Sequence, residues 1–144
     1  MTAIQRFGVR QPELSYRARH AAYAVILNEH QQVACVAEES GLFLPGGGLE
    51  DNEDPVQAVH REVAEECARE LEIIAALEPA IQFFTSGRGE PMEMHASFFL
   101  AHFGRMLDGA GEHVLSWRAA SPPPPFFHEC HRWAVSQALK QGAA

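Results

Sequence analysis

The amino-acid sequence predicts a single α/β domain on three observations. A capped amphipathic helix lies near the middle of the chain, short apolar runs bounded by turn residues flank it, and a second helix with an apolar side lies near the C-terminus. The 144 residues suit one hydrophobic core, which sets the expected domain as residues 1–144. At 47% hydrophobic and 21% charged residues, the composition is that of a globular protein and excludes a disordered chain.

The first twenty residues are mixed and punctuated by Pro12. Ala21 to Leu27 then runs apolar, Asn28-Glu29-His30 breaks the run, and Gln32 to Ala37 resumes it, which reads as strand, turn, strand. Glu38-Glu39 ends the second strand, Leu42-Phe43-Leu44 is a short apolar piece, and Pro45-Gly46-Gly47-Gly48 reads as a loop. Asp54 as N-cap, Pro55 at the first helical position and Gln57 as capping-box partner start a helix, whose periodicity carries it to about Leu71. Ile73 to Phe84 and Met94 to Phe103 read as strands of a second hairpin joined by Ser86-Gly87-Arg88-Gly89, and His113 to Trp117 as a further strand. Pro122 to Pro125 form a stiff connector. Phe126 to Leu139 is the second helix, with Phe127, Cys130, Ala134 and Ala138 on its apolar side.

Eleven Lys and Arg against nineteen Asp and Glu give a net charge of −8, the wrong sign for stable duplex nucleic-acid binding by counterion release. An anionic small substrate is compatible with this charge when a cation bridges the two. No apolar run approaches the ~18 residues of a membrane span, and no export signal opens the chain. Three dispersed cysteines, Cys35, Cys67 and Cys130, offer neither a disulfide framework nor a Cys-x-x-Cys pair, so a reduced, cytoplasmic setting is expected.

Within the first helix, Glu62, Glu65 and Glu66 stand at i, i+3 and i+4, which gathers three carboxylates on one side. Val56, Val59, Val63 and Cys67 fill the neighbouring face. Like charges at these spacings destabilise a helix by ~0.2–0.5 kcal/mol each, and a divalent cation reverses the sign. Oxygen ligands without a His at i+4 favour Mg²⁺ or Mn²⁺ over Zn²⁺, and Mg²⁺ commonly joins carboxylates to substrate phosphates.

The joint spacing is more specific: Gly47, five residues, Glu53, seven residues, then Arg61-Glu62-Val63-Ala64-Glu65-Glu66. This resembles the signature box of the Nudix (MutT-like) hydrolases. The Leu44-Pro45-Gly46-Gly47-Gly48 lead-in and the later Glu112-His113-Val114-Leu115-Ser116-Trp117 extend the likeness over most of the chain. Ala68 stands where the family usually has Gly and Arg69 where it has an aliphatic residue, which affects the helix exit and not the charged positions.

The resemblance implies an α/β/α sandwich with a mixed central sheet. It also implies metal-dependent hydrolysis of nucleoside diphosphate-linked compounds, a nucleoside triphosphate being favoured, with ADP-ribose, dinucleoside polyphosphates or a non-cleaving sensor as alternatives. The implied metal ligands are Glu62, Glu65, Glu66 and the Gly46 carbonyl, with Glu53 and Arg61 orienting the carboxylates. The implied base is Glu66 or Glu65, with Glu112 as the loop candidate and Glu93 a weaker one. Arg17, Arg19 and Gly47 are candidates for substrate contact. Glu38 and Glu39 stand where many relatives carry a phosphate-contacting Arg. His128, Cys130 and His131, at i, i+2 and i+3 of a helix, do not suit a tetrahedral metal site. Phe83, Phe84 and Trp133 are read mainly as core. A homodimer is left open, since no stretch identifies an interface.

Overall fold

The computed structural model describes residues 3–142. In chain order its elements are β1 (Gln5–Phe7), β2 (Arg17–Ile26), β3 (Gln32–Glu38), β4 (Gly41–Phe43), β5 (Gly46–Gly48), α1 (Pro55–Cys67), β6 (Arg69–Ala76), β7 (Ala80–Thr85), β8 (Pro91–Met106), β9 (Val114–Ala119) and α2 (Glu129–Gly142). One sheet has the order β1-β7-β8-β2-β5, with β6 also on β8. It is mixed: β1/β7 and β2/β8 are parallel, and its other pairs are antiparallel. A second, antiparallel sheet has the order β4-β3-β9.

The uninterrupted apolar run in β2 follows from burial on both faces. Ala21, Tyr23 and Val25 belong to a core with Cys130, Ala134, Val135 and Ala138 of α2. Ala22, Ala24 and Ile26, the alternate residues, belong to a core with Ala58, Val59 and Val63 of α1. β8 divides in the same way, Phe98 going with the first core and Phe99 with the second. The sheet thus lies between the two helices, the expected α/β/α sandwich.

Several boundaries differ from expectation. α1 stops at Cys67 rather than near Leu71, because Ala68 turns left-handed at φ 53° with its N–H on the Ala64 carbonyl at 3.0 Å. Arg69 then enters β6 opposite Met106, donates to the Gly104 carbonyl at 2.9 Å and lies 4.8 Å over the Phe103 ring. Leu71 is buried all the same, from a strand instead of a helix. The run Ile73 to Phe84 is two strands, β6 and β7, interrupted at Leu77–Pro79, and the β7–β8 hairpin turns through Ser86–Gly89 as expected.

β2 and β3 share only a Leu27–Val33 bridge and then part into different sheets. β2 begins at Arg17, so Arg17 and Arg19 lie within it rather than before it. The glycine triplet is not a free loop: β5 pairs with Ala21, Ala22 and Tyr23 of β2. α2 begins at Glu129, which leaves Phe126 and Phe127 in the preceding segment, with Phe127 exposed. On α1, Val59 and Val63 are buried as expected, Val56 is exposed, and Glu66 is buried instead of facing solvent.

Candidate active site

Asp54 Oδ1 accepts from the Gln57 N–H at 2.8 Å and Gln57 Oε1 accepts from the Asp54 N–H at 3.0 Å. This capping box, worth about 1 kcal/mol, fixes the start of α1 and so the phase of its glutamates. The strap ahead of β5 is anchored from both sides. The Leu44 N–H donates to His131 Nδ1 at 3.2 Å and the Ala24 N–H to the Pro45 carbonyl at 2.8 Å.

Two glycines in β5 are dictated by what they touch. A Cβ on Gly46 would stand 2.2 Å from the Ala22 carbonyl oxygen, at a φ of +144°. A Cβ on Gly47 would stand 2.8 Å from Glu62 Cδ. The bare backbone lets both carboxylates lie against it: the Gly46 N–H donates to Glu66 Oε1 at 2.8 Å, and the Glu62 carboxylate covers Gly47.

Arg61 organises the other side. It donates to Glu53 through Nε at 2.7 Å and Nη2 at 2.9 Å, a bidentate pair. Further donors reach Glu62 at 2.9 Å, Glu65 at 3.3 Å and the Gly48 carbonyl at 3.1 Å. The guanidinium holds the Glu53 carboxyl down at about 2, so Glu53 stays ionised and keeps Arg61 in place.

Glu66 experiences the opposite influence. Its burial pushes its carboxyl up to about 8; the Gly46 N–H opposes this, and the charges of Glu62, Glu38 and Glu112 add to it. Burial also raises the Glu62 carboxyl, against the pull of Arg61. A carboxylate buried without a cation is costly, so these two groups, set against the Gly46–Gly47 backbone, fit a divalent cation with oxygen ligands.

The loop before β9 packs on the end of α1. A Cβ on Gly111 would stand 2.0 Å from the Glu66 carbonyl oxygen, the Glu112 N–H donates to the Glu65 carbonyl at 3.0 Å, and the His113 N–H donates to the Glu66 carbonyl at 3.3 Å. This brings His113 Nε2 to 3.7 Å from Glu66 Oε2 and 3.3 Å from Glu38 Oε1.

These groups border a cleft of about 330 Å³. Its lining includes Arg19, Glu62 and Glu66 together with the aromatic side chains of Phe84, Phe127 and His128. Arg19, Gly48 and Glu62 are shared with a wider neighbouring cleft of about 1060 Å³ that also takes in Arg17 and Arg88.

The structure therefore brings together Gly46, Gly47, Glu53, Arg61, Glu62, Glu65, Glu66 and Arg19, with Glu112 nearby on an exposed loop. Arg17 is set apart, exposed and 3.8 Å from Glu90. Glu93 is engaged elsewhere, hydrogen-bonded to His95 at 2.7 Å. Phe83 is buried and Trp133 packs against the core, whereas Phe84 reaches the cleft. His131 is fully buried and serves the Leu44 strap, and the Cys130 N–H donates to Gln82 Oε1 at 3.0 Å. Sequence reasoning missed Glu38 and His113 as partners of Glu66, and Phe127 and His128 as cleft residues. No spacing links them, because they come from β3, the loop before β9 and the approach to α2.

Residues 17–139 match the family model described as NUDIX domain. A MutT NUDIX hydrolase from Burkholderia pseudomallei is 27% identical over 84% of this chain and 98% of its own, with a TM-score of 0.68. An ADP-ribose pyrophosphatase from Streptococcus suis (19% identity, 88% and 92% covered, TM-score 0.64) and a MutT protein from Methanosarcina mazei Go1 (20%, 92% and 100%, 0.63) share the fold. No curated protein matches the chain. Among the described residues, no helix is long and apolar enough to cross a membrane. The matched box and the geometry around it place the chain in the NUDIX domain family, among the MutT-like pyrophosphohydrolases.

Proposed function

We propose that the chain acts as one Nudix-like domain that hydrolyses a nucleoside diphosphate-linked compound with Mg²⁺ or Mn²⁺, and that its preferred substrate is a nucleoside triphosphate, canonical or oxidised, converted to monophosphate and pyrophosphate. The observation that carries this reading is the convergence of Glu62, Glu66, the Gly46–Gly48 backbone and Arg19 on one cleft that Phe84 and Phe127 also line.

Glu62, Glu65, Glu66 and the Gly46 carbonyl hold the cation in this reading. When bound, it neutralises phosphate oxygens and lowers the pKa of the attacking water. Arg61, pinned by Glu53, keeps Glu62 and Glu65 in position. Glu66 or Glu65 takes the water's proton, with Glu112 as the loop alternative. Arg19 faces the substrate phosphates beside Gly47 and Gly48, with Arg17 farther out, and Phe84 and Phe127 offer flat surfaces to a base.

The wider second cleft favours one other reading, a substrate with a bulky group on both sides of the diphosphate, such as ADP-ribose or a dinucleoside polyphosphate. The test is product formation from dNTPs, 8-oxo-dGTP, ADP-ribose and diadenosine polyphosphates, with Glu66→Gln as the blank. Cleavage of triphosphates above that blank supports the first reading, and cleavage of the two-sided compounds alone supports the second. Nucleotide-dependent thermal stabilisation without cleavage by the wild type would mark a binding protein and overturn both.

A further inference from the structure

We infer that Glu38, His113 and Glu66 form a second divalent-cation site on the wall of the cleft, suited to a borderline transition-metal ion such as Zn²⁺ or Co²⁺ in preference to Mg²⁺. The inference rests on the proposed function through Glu66, whose two oxygens would be divided between the sites, and through the polyphosphate substrate.

One oxygen of each carboxylate and one imidazole nitrogen of this trio lie within 4.8 Å of one another, and all three residues line the cleft. The Glu66 side chain is 6% exposed. Its Oε1 is taken by the Gly46 N–H, while Oε2 faces His113 Nε2 at 3.7 Å, too far for a hydrogen bond. The Glu38 contact, at 3.3 Å, also lacks hydrogen-bond geometry.

His95 and Glu93 supply the contrast within the same chain: where a histidine and a glutamate simply pair, they close to a 2.7 Å hydrogen bond. His113 Nε2 instead stands between two carboxylate oxygens without bonding either. Ligand atoms about 2.0–2.1 Å from a tetrahedral ion stand roughly 3.4 Å from one another, near the 3.3 and 3.7 Å found here. A nitrogen ligand shifts preference away from Mg²⁺, which seeks oxygen, and towards the later first-row ions.

Charge supplies a separate reason. The cleft is lined by three carboxylates, Glu38, Glu62 and Glu66, and by one arginine, Arg19. One divalent ion offsets the lining but leaves a polyphosphate uncompensated. A second ion held by Glu38 turns a repulsive wall into an attractive one.

The test is calorimetric titration of the chelator-treated full chain with Zn²⁺ alone and with Mg²⁺ alone. The wild type should bind one more Zn²⁺ than either His113→Gln or Glu38→Gln, or bind it at least about tenfold more tightly, while Mg²⁺ binding stays unchanged in both variants. Equal Zn²⁺ stoichiometry and affinity in the wild type and both variants, with folding confirmed by circular dichroism, would overturn the inference and leave the trio as an ion-pair cluster. Glu62→Gln separates the two readings. Loss of Mg²⁺ binding with the His113-dependent Zn²⁺ site retained supports both. Unchanged Mg²⁺ binding defeats the box assignment alone, and loss of the His113-dependent Zn²⁺ site counts against an independent second site.

Discussion

Replacing Glu66 with Gln separates what this side chain costs the fold from what it contributes to the site. The carboxyl is buried, and its value in the folded protein is raised to about 8 from a reference of 4.5. A group whose folded value lies above its unfolded one stabilises fully below about pH 4.5 and loses that contribution as pH rises through about 8. The loss is on the order of 5 kcal/mol in the metal-free protein. Glutamine keeps the shape, and its amide oxygen still accepts from the Gly46 N–H, so only the charge is removed. In the presence of a chelator, Glu66→Gln should therefore melt several degrees above wild type at pH 8.5 and together with it near pH 4.5. Added Mg²⁺ should reverse the order, since the wild type gains a ligand set that the variant lacks. Turnover should fall by about a hundredfold or more. The assays are thermal melts with and without metal at the two pH values, and product release under saturating Mg²⁺. Parallel pH profiles for the two metal-free proteins, or wild-type turnover in the variant, would refute the reasoning.

Gly47→Ala should leave the melting temperature within a few degrees of wild type but cut kcat at least about tenfold, because the new Cβ meets Glu62 Cδ at 2.8 Å and displaces the carboxylate; unchanged kcat would detach Glu62 from the chemistry. Ala68→Gly should stabilise the protein by about 0.5–1 kcal/mol, since a left-handed φ of 53° strains a residue bearing a Cβ, and a lower melting temperature would contradict this. Burial lowers the His128 value to about 4 and the His131 value well below 6.5, so the stability these groups carry is present above about pH 6.5 and is lost as pH falls through about 4. A melt series in the Glu66→Gln background, where the opposing carboxyl is gone, should show that acid decline, and a flat profile would exclude it.

Legibility tracked how local each cause was. The start of α1 was readable because Asp54, Pro55 and Gln57 determine it within one turn. Its end was not, because Ala68 in a left-handed turn depends on Arg69 finding Gly104 and Phe103 on β8, a distant strand. The split of Ile73 to Phe84 into β6 and β7 likewise arises from their pairing with different stretches of β8. The box glutamates were readable because helical spacing holds Glu62, Glu65 and Glu66 in a fixed relation.

The sequence by itself determined the charged box, the helix that carries it, the acidic balance that calls for a cation, and the apolar run that forms the body of β2. These depend on spacing and composition, which survive without a third dimension. Only the tertiary structure decided that Glu66 is buried against Gly46, that Glu38 and His113 reach the same carboxylate, and that Phe84, Phe127 and His128 line the same cleft. Those contacts join residues far apart along the chain, and the mixed sheet between two helices fixes the strand order that brings them together.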